Sequence, residues 1–163
     1  MAEMTRQPAD WTDRAPVKVR AAREIHASPH EVWDVLVDHD RWPEWFEAID
    51  DAKATGGTGL GSTRTVWVAK KPIDEEFIVW DEPHSWGFSV TRAEGLLGRV
   101  LETLNERVDI QVLSDDRVRV TYLMAMQPKP RTGIVMRFVK PQLTKGLRAA
   151  LAGLETHIEA QRV

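Results

Sequence analysis

Hydrophobic and polar residues alternate from Val17 to Ile25, with an apolar side chain at nearly every second position. This period of two predicts a strand with one face in water. The segment Ser28-Pro29-His30-Glu31 follows, and its serine and glutamate have the spacing of a capping box, with the proline at the first helical position. A helix is therefore predicted directly after this strand. A second short helix is expected to carry three aromatic residues, Trp42, Trp45 and Phe46.

Five further strands are predicted after a glycine-rich loop at residues 56–61. They are Thr63–Ala69, Ile73–Trp80, Ser85–Arg92, Leu101–Leu113 and Arg117–Met126. The later gaps are short and turn-like, which favours hairpins and an antiparallel sheet. In the last three strands one set of alternate positions is apolar and the other polar, so one face of the sheet is expected to be covered.

The residues after Pro130 predict a long C-terminal helix. Its apolar stripe recurs at intervals of three or four residues: Leu143, Leu147, Leu151, Leu154 and Ile158. Pro141 lies near the start of this helix and is expected to kink or break it.

Two motifs carry a resemblance to a known family. Ile25-His26-Ala27-Ser28-Pro29-His30-Glu31-Val32-Trp33, followed by Asp38-His39-Asp40-Arg41-Trp42-Pro43-Glu44-Trp45, is similar to the N-terminal signature of the START-like, or SRPBCC, superfamily in its polyketide cyclase/dehydrase-like branch. Gly59-Leu60-Gly61-Ser62 resembles the loop that precedes the third strand in these proteins. The resemblance implies an α+β helix-grip fold: a curved antiparallel sheet wrapped around a long C-terminal helix, with two short helices after the first strand. It also implies a cavity between sheet and helix.

The composition fits a single domain and excludes several classes of site. A chain of 163 residues with a net charge of −3 has the size of one domain and no electrostatic reason to bind nucleic acid. The absence of cysteine excludes a disulfide framework, thiolate catalysis and cysteine-ligated metals. We interpret residues 1–16 as a flexible lead-in without an apolar run, and residues 17–163 as one ligand-binding domain. A cytoplasmic protein without stable membrane insertion is expected.

The apolar positions of the sheet and the helix define a candidate ligand site. Its expected lining is Trp86, Phe88, Val108, Ile110, Tyr122, Met124, Phe138, Leu143 and Leu147. The same residues would also build a solid core. The hydrophobic pattern alone favours the core, whereas the family resemblance favours the cavity.

Arg64, Glu106 and Tyr122 are the polar candidates, both for ligand binding and for catalysis. Arg64 shares its strand parity with Val66, and Glu106 shares its parity with Val108. An inward-facing charge at either position would need a partner and would be an acid–base candidate. The alternative, which we favour at this stage, is that strand ends and a bulge place both side chains in water.

Other candidate sites have structural explanations that we prefer. The five histidines lack the spacing of a metal site, and no Gly-x-Ser-x-Gly elbow is present, so neither a metal nor a cofactor is expected. The aromatic cluster at residues 42–46 is interpreted as packing rather than as a ligand cage. The bases between residues 129 and 148 are interpreted as a solvated helix face rather than as a site for an anionic head group or a membrane surface.

Three functions remain open from the sequence. The leading hypothesis is non-catalytic binding of a small hydrophobic molecule such as a lipid, a polyketide or an aromatic metabolite. The second is an enzyme of the cyclase or dehydratase type, in which Arg64, Glu106 or Tyr122 polarises a carbonyl or moves a proton. The third is a protein-interaction module that uses an exposed apolar patch around Leu96, Leu97 or Phe138.

Overall fold

One antiparallel sheet of eight strands and a 26-residue C-terminal helix form the fold in a computed structural model that describes residues 1–162. The strands are β1 Ala2–Glu3, β2 Val17–Ile25, β3 Asp51–Gly56, β4 Thr63–Val68, β5 Lys71–Asp81, β6 Ser85–Ala93, β7 Leu101–Ser114 and β8 Arg117–Pro128. The α-helices are α1 Pro29–Val37, α2 Gly95–Val100 and α3 Met136–Gln161. Short 3-10 helices span Ala9–Arg14, His39–Glu44 and Gly133–Val135.

The sheet follows the order β2-β8-β7-β6-β5-β4-β3, and β1 pairs with β6. The chain reverses direction between consecutive strands from β3 to β8, which confirms the predicted antiparallel pairing. Between β6 and β7, however, the connection is the helix α2 rather than the predicted short turn. The first long strand, β2, pairs with the last, β8. The curved sheet and the helix α3 form the α+β helix-grip fold that the sequence predicts.

The helix α1 begins where the sequence indicates. The Ser28 hydroxyl accepts a hydrogen bond from the backbone N–H of Glu31, whose carboxylate accepts one from the backbone N–H of Ser28. This capping box satisfies two otherwise unpaired donors at the helix start. The 3-10 helix at His39–Glu44 follows and gives the second of the two short helices, but it ends at Glu44, so of the three predicted aromatic residues it contains only Trp42.

The helix α3 packs on the sheet through one apolar face. Leu147, Leu151, Leu154 and Ile158 are buried, as their spacing predicts. Contrary to the expectation, Pro141 does not break the helix, which is continuous from Met136 to Gln161. The backbone carbonyl that loses its partner belongs to the exposed residue Arg137, where water can replace the missing N–H.

The segment expected to be a flexible lead-in packs against the sheet in the structure. Met4 and Thr12 are buried, and the backbone N–H of Met4 donates to the carbonyl of Thr91. The side-chain amide of Asn105 on β7 donates to the Thr12 hydroxyl at 3.2 Å and to the backbone carbonyl of Pro8 at 3.3 Å. A buried Asn105 needs such partners, and the first residues of the chain supply them.

Candidate functional site

A cavity of about 250 Å³ lies between the sheet and α3. Five of the predicted lining residues surround it: Phe88, Tyr122, Met124, Leu143 and Leu147. Gly146 of α3 also faces it, and a Cβ atom added at this glycine would meet nothing within 4 Å. The helix therefore leaves open space against the sheet at this point instead of closing the core.

Four predicted lining residues lie elsewhere. Trp86, Val108 and Ile110 are buried but belong to the solid part of the core. The pair Trp86 and Val108 lies two residues along the strands from the pair Phe88 and Glu106, and Trp42 packs on Trp86 with a ring-centroid distance of 5.2 Å. The aromatic side chains of the short helices thus fill the space on this side.

Phe138 is the fourth, and the structure contradicts its predicted position. Its side chain is 77% exposed. It lies in the first turn of α3, five residues before Leu143 and nine before Leu147, so it is on the opposite face of the helix from the lining stripe. An apolar residue outside the helical period is not evidence for a core position.

A second space of about 240 Å³ adjoins the first one. The two spaces share five lining residues: Val68, Ile73, Leu97, Met124 and Leu143. The second space is bounded by α2, by the turn between β4 and β5, and by the inner face of the first turns of α3. Leu96 stands at its edge and is 61% exposed. The second space, with Leu96 at its edge, is therefore the end of the apolar space that lies nearest to solvent.

Arg64 and Glu75 form a buried ion pair at the inner wall. They stand directly opposite each other on β4 and β5, and the Arg64 Nε donates to the Glu75 carboxylate at 2.5 Å. The guanidinium carbon lies 3.8 Å from the centre of the Trp42 ring, with Trp86 and Phe88 at 5.1 Å. Arg64 is 1% exposed, so our preference for a solvent position was wrong. Ion pairing and aromatic contacts replace the water that the charge has lost.

Glu106 and Tyr122 form the second polar contact of the cavity. The Tyr122 hydroxyl donates to the Glu106 carboxylate at 2.5 Å, and both side chains line the space. Glu106 remains partly accessible because it faces the cavity rather than bulk water. Burial, reinforced by the charge of Glu75, raises the pKa of Glu106 to about 8. The preferred solvent position is therefore wrong for Glu106 too, and the side chain is a neutral acid at pH 7.

The half-buried side chain of His39 lies next to the Arg64–Glu75 ion pair. Its ring stacks on Phe77 with a centroid distance of 4.9 Å, and its Nδ1 lies 3.5 Å from Nη1 of Arg64. Burial lowers the pKa of His39 to about 4, and the positive charge of Arg64 acts in the same direction. The imidazole is therefore neutral at pH 7, and its Nδ1 accepts the hydrogen bond from Arg64.

Glu75, His39 and Phe46 belong to the site but were not predicted from the sequence. Glu75 was detectable, because it occupies the inward parity of its strand between Ile73 and Phe77, both of which are buried. Phe46 belongs to the aromatic cluster that was interpreted as packing, and the structure divides that cluster. Trp42 and Trp45 pack in the core, whereas Phe46 lines the cavity. The position of His39 follows from the path of a 3-10 helix, which residue spacing does not predict.

The arrangement combines apolar walls with one neutral acid, one hydroxyl and one buried ion pair. Such a site can hold an apolar molecule and orient a single polar group of it. Among residues 1–162 no group of three or more His, Asp or Glu side chains is placed to hold a metal ion. Within the same residues, none of the helices has the length and hydropathy that a bilayer-spanning segment requires.

Comparison with known proteins gives matches over nearly the whole chain. A profile described as polyketide cyclase / dehydrase and lipid transport matches residues 16–159. Uncharacterized proteins of Mycobacterium tuberculosis and Mycobacterium bovis are 25% identical over 154 residues, which cover 93% of this chain and 90% of theirs.

Solved structures show the same fold at lower identity. A START superfamily protein from Mycobacterium smegmatis superposes with a TM-score of 0.73 at 15% identity, over 88% of this chain and 98% of that protein. Norcoclaurine synthase from Thalictrum flavum, in complex with dopamine and hydroxybenzaldehyde, superposes with a TM-score of 0.70 at 16% identity, over 100% and 98% of the two chains.

Proposed function

Because the chain belongs to the polyketide cyclase/dehydrase and lipid transport family, we propose that it binds a small, largely apolar molecule between the sheet and α3. The observation that carries this proposal is the apolar cavity with the Glu106–Tyr122 contact on its wall. Apolar walls supply affinity in proportion to the buried area, and one polar contact sets the orientation.

The size of the space limits the ligand. Each of the two adjoining spaces is smaller than a typical ligand pocket, and together they fall within the usual range of about 300–1,000 Å³. An elongated molecule would place its polar end at Glu106 and its apolar part toward Leu96. A lipid, a polyketide or an aromatic metabolite with one oxygen function at its end has this shape.

A cavity-filling variant tests the location of the site. Gly146→Leu places an apolar side chain in the open space, whereas Ala149→Leu adds the same side chain at an exposed position of the same helix. With the neutral fluorescent probe N-phenyl-1-naphthylamine, we expect binding to the wild type and to Ala149→Leu but not to Gly146→Leu. Equal binding to all three proteins would contradict the proposed site. Native mass spectrometry of the wild type and Gly146→Leu would show whether a retained molecule depends on the same space.

The Glu106–Tyr122 contact also favours a second candidate, an enzyme of the cyclase or dehydratase type. A carboxylic acid that stays neutral at pH 7 inside an apolar site can donate a hydrogen bond or a proton to a carbonyl oxygen. The fold also accommodates an aromatic aldehyde in norcoclaurine synthase. Arg64 is less suited to a catalytic role in this candidate enzyme, because Glu75 and the aromatic rings already surround its guanidinium.

Binding and turnover can be separated with Glu106→Gln. This substitution keeps an acceptor for the Tyr122 hydroxyl but removes the titrating proton. An enzyme would lose turnover of a carbonyl substrate in Glu106→Gln while still binding the neutral probe, and its activity would fall as the pH rises above about 8, where Glu106 ionises. A carrier would show no turnover in either protein. Turnover that is unchanged in Glu106→Gln would contradict the enzymatic candidate.

A further inference from the structure

The outer face of α3 carries exposed apolar residues that the fold does not use. Phe138 is 77% exposed, and Ile134, four residues earlier in the preceding 3-10 helix, is 65% exposed. Pro141, three residues after Phe138, is exposed too. A spacing of three or four residues places all three on one side of the helical segment. The inner face of the same turns, with Met136 and Leu143, lines the apolar space.

Positive charge surrounds this apolar ridge. Five bases with exposed side chains lie in the same segment: Arg131, Arg137, Lys145 and Arg148 on or beside the ridge, and Lys140 on the flank of the helix. The sequence contains no Asp or Glu from residue 117 to residue 154, although the whole chain has a net charge of −3. The segment that exposes Ile134 and Phe138 therefore carries bases and no acidic residue of its own. We call this surface, residues 131–148 on the outer side of α3, the basic apolar face.

The ion pairing of the bases also bears on this face. Elsewhere Arg23, Arg92 and Arg107 form ion pairs with carboxylates at 2.6 to 3.0 Å. In the part of the chain that the structure describes, none of the five bases of the basic apolar face pairs with a carboxylate. Their charge is consequently available to a negatively charged partner.

We propose that the basic apolar face docks on the surface of an anionic lipid bilayer. A helix with protruding apolar side chains among lysine and arginine residues lies in the bilayer interface, where the apolar groups enter the acyl boundary and the bases contact the anionic head groups. Phe138 and Ile134 supply the apolar part, and the five bases supply the charge. This interaction is peripheral, and it is independent of the ligand proposed above.

The position of the face relative to the cavity gives the docking a role in ligand exchange. The first turns of α3 carry the basic apolar face on one side and the wall of the outer apolar space on the other. A docked helix would bring that outer space next to the lipid surface. Exchange of an apolar molecule there would avoid its passage through bulk water.

Vesicle co-sedimentation tests the docking with the full-length protein. The probes are vesicles of phosphatidylcholine alone and vesicles in which phosphatidylglycerol replaces part of the phosphatidylcholine. We expect binding only to the anionic vesicles, weakened by added salt because part of the attraction is electrostatic. Absence of binding to anionic vesicles, or equal binding to both kinds, would overturn the proposal.

Matched variants locate the interaction. Ile134→Ser combined with Phe138→Ser should abolish binding, whereas Leu60→Ser, at a residue that is 71% exposed in the glycine-rich loop, should leave it unchanged. Arg137→Gln combined with Lys145→Gln should weaken binding by roughly fivefold for each base removed. Arg20→Gln combined with Lys53→Gln changes the net charge equally on β2 and β3 and should have no effect. Equal losses in the matched variants would overturn the assignment to this face.

Other occupants of the face give distinct results. If a second copy of the chain covers it, analytical ultracentrifugation would show a dimer that Phe138→Ser dissociates, and vesicles would not bind. If the face binds RNA, the protein would bind RNA and not vesicles. Either result would overturn the membrane proposal. Because the neutral probe reports on the cavity separately, failure of vesicle docking does not affect the proposed ligand site.

Discussion

The fold keeps the carboxyl group of Glu106 neutral, and this makes the stability of the protein depend on pH. Its pKa is raised from 4.5 to about 8 by burial and by the nearby Glu75. Between these pH values the folded protein binds a proton that the unfolded chain has released. Stability from this group is therefore complete at low pH and is lost as the pH rises through this window.

We expect Glu106→Gln to reduce the fall in unfolding free energy between pH 4.5 and about 8. Urea denaturation of both proteins across this range measures the difference. Gln111→Glu, an exposed position on the same strand, serves as a control that adds an unburied carboxyl group. If the wild type and Glu106→Gln show the same pH dependence, then Glu106 titrates normally and is not enclosed as described.

His39 gives a pH dependence of opposite sign. Its pKa is lowered from 6.5 to about 4, so acidification protonates the unfolded chain before the folded protein. The stability that His39 contributes is therefore lost as the pH falls from 6.5 toward 4. Nuclear magnetic resonance titration should show no protonation of this ring between pH 5 and 8, in contrast to an ordinary histidine. A midpoint near 6.5 would contradict its burial against Arg64.

Arg64 and Glu75 should behave as one unit. Arg64→Met leaves the Glu75 carboxylate buried without its partner, which is expected to cost about 3–5 kcal/mol of unfolding free energy. Combining Arg64→Met with Glu75→Leu removes both charges and should recover most of this loss. Urea denaturation of the two single variants and the double variant completes the cycle. Additive losses would show that the two side chains are not coupled.

At the scale of the elements, α3 approaches the rest of the chain closely at one glycine and not at another. A Cβ atom at Gly153 would lie 2.1 Å from the backbone carbonyl oxygen of Trp45, whereas Gly146 faces open space. The glycine at position 153 therefore allows close packing of α3 on the segment after the second short helix. Its role depends on a contact between residues that are distant in the sequence.

Alanine at these two glycines should change stability in opposite directions. Gly153→Ala forces the helix away from Trp45 and is expected to cost about 1–3 kcal/mol. Gly146→Ala meets no neighbour and should gain about 0.5–1 kcal/mol, since alanine restricts the unfolded chain and favours the helix. Thermal and urea unfolding measure both effects. A stabilising Gly153→Ala would contradict the packing of α3 described above.

At the scale of the whole molecule, the first residues of the chain complete the sheet. Removing residues 1–14 would expose the surface under Met4 and leave the amide of Asn105 without its partners at Thr12 and Pro8. We expect the truncated protein to lose roughly 3 kcal/mol or more of unfolding free energy. An unchanged urea midpoint would instead support the expectation of a flexible lead-in. Removal of Met1 alone serves as the control.

The whole molecule also places the two proposed functions on opposite sides of α3. The inner side, with Leu143 and Leu147, closes the cavity, and the outer side, with Phe138, forms the basic apolar face. Within residues 134–139, Met136 and Val139 line the outer apolar space, whereas Ile134 and Phe138 are exposed on the other side. The proposed ligand site and the proposed docking surface are consequently neighbours, although each is tested by its own variants.

Local patterns in the sequence determined the main elements and their order. The alternation in β6, β7 and β8, the capping box at Ser28 and the stripe from Leu147 to Ile158 depend on neighbours within a few residues, so they are visible in one dimension. The same patterns did not predict β3, whose residues are polar and mostly exposed, or the place of Phe138.

Tertiary structure alone decided which inward-facing positions line a cavity and which fill the core. Phe88 and Trp86 have the same parity on one strand, yet Phe88 borders open space and Trp86 packs against Trp42. Likewise Arg64 and Glu106 can point inward because the strands bring Glu75 and Tyr122 to them as hydrogen-bond partners. The periodicity of a strand fixes the face on which a side chain lies, but the partner that it meets there comes from distant parts of the chain.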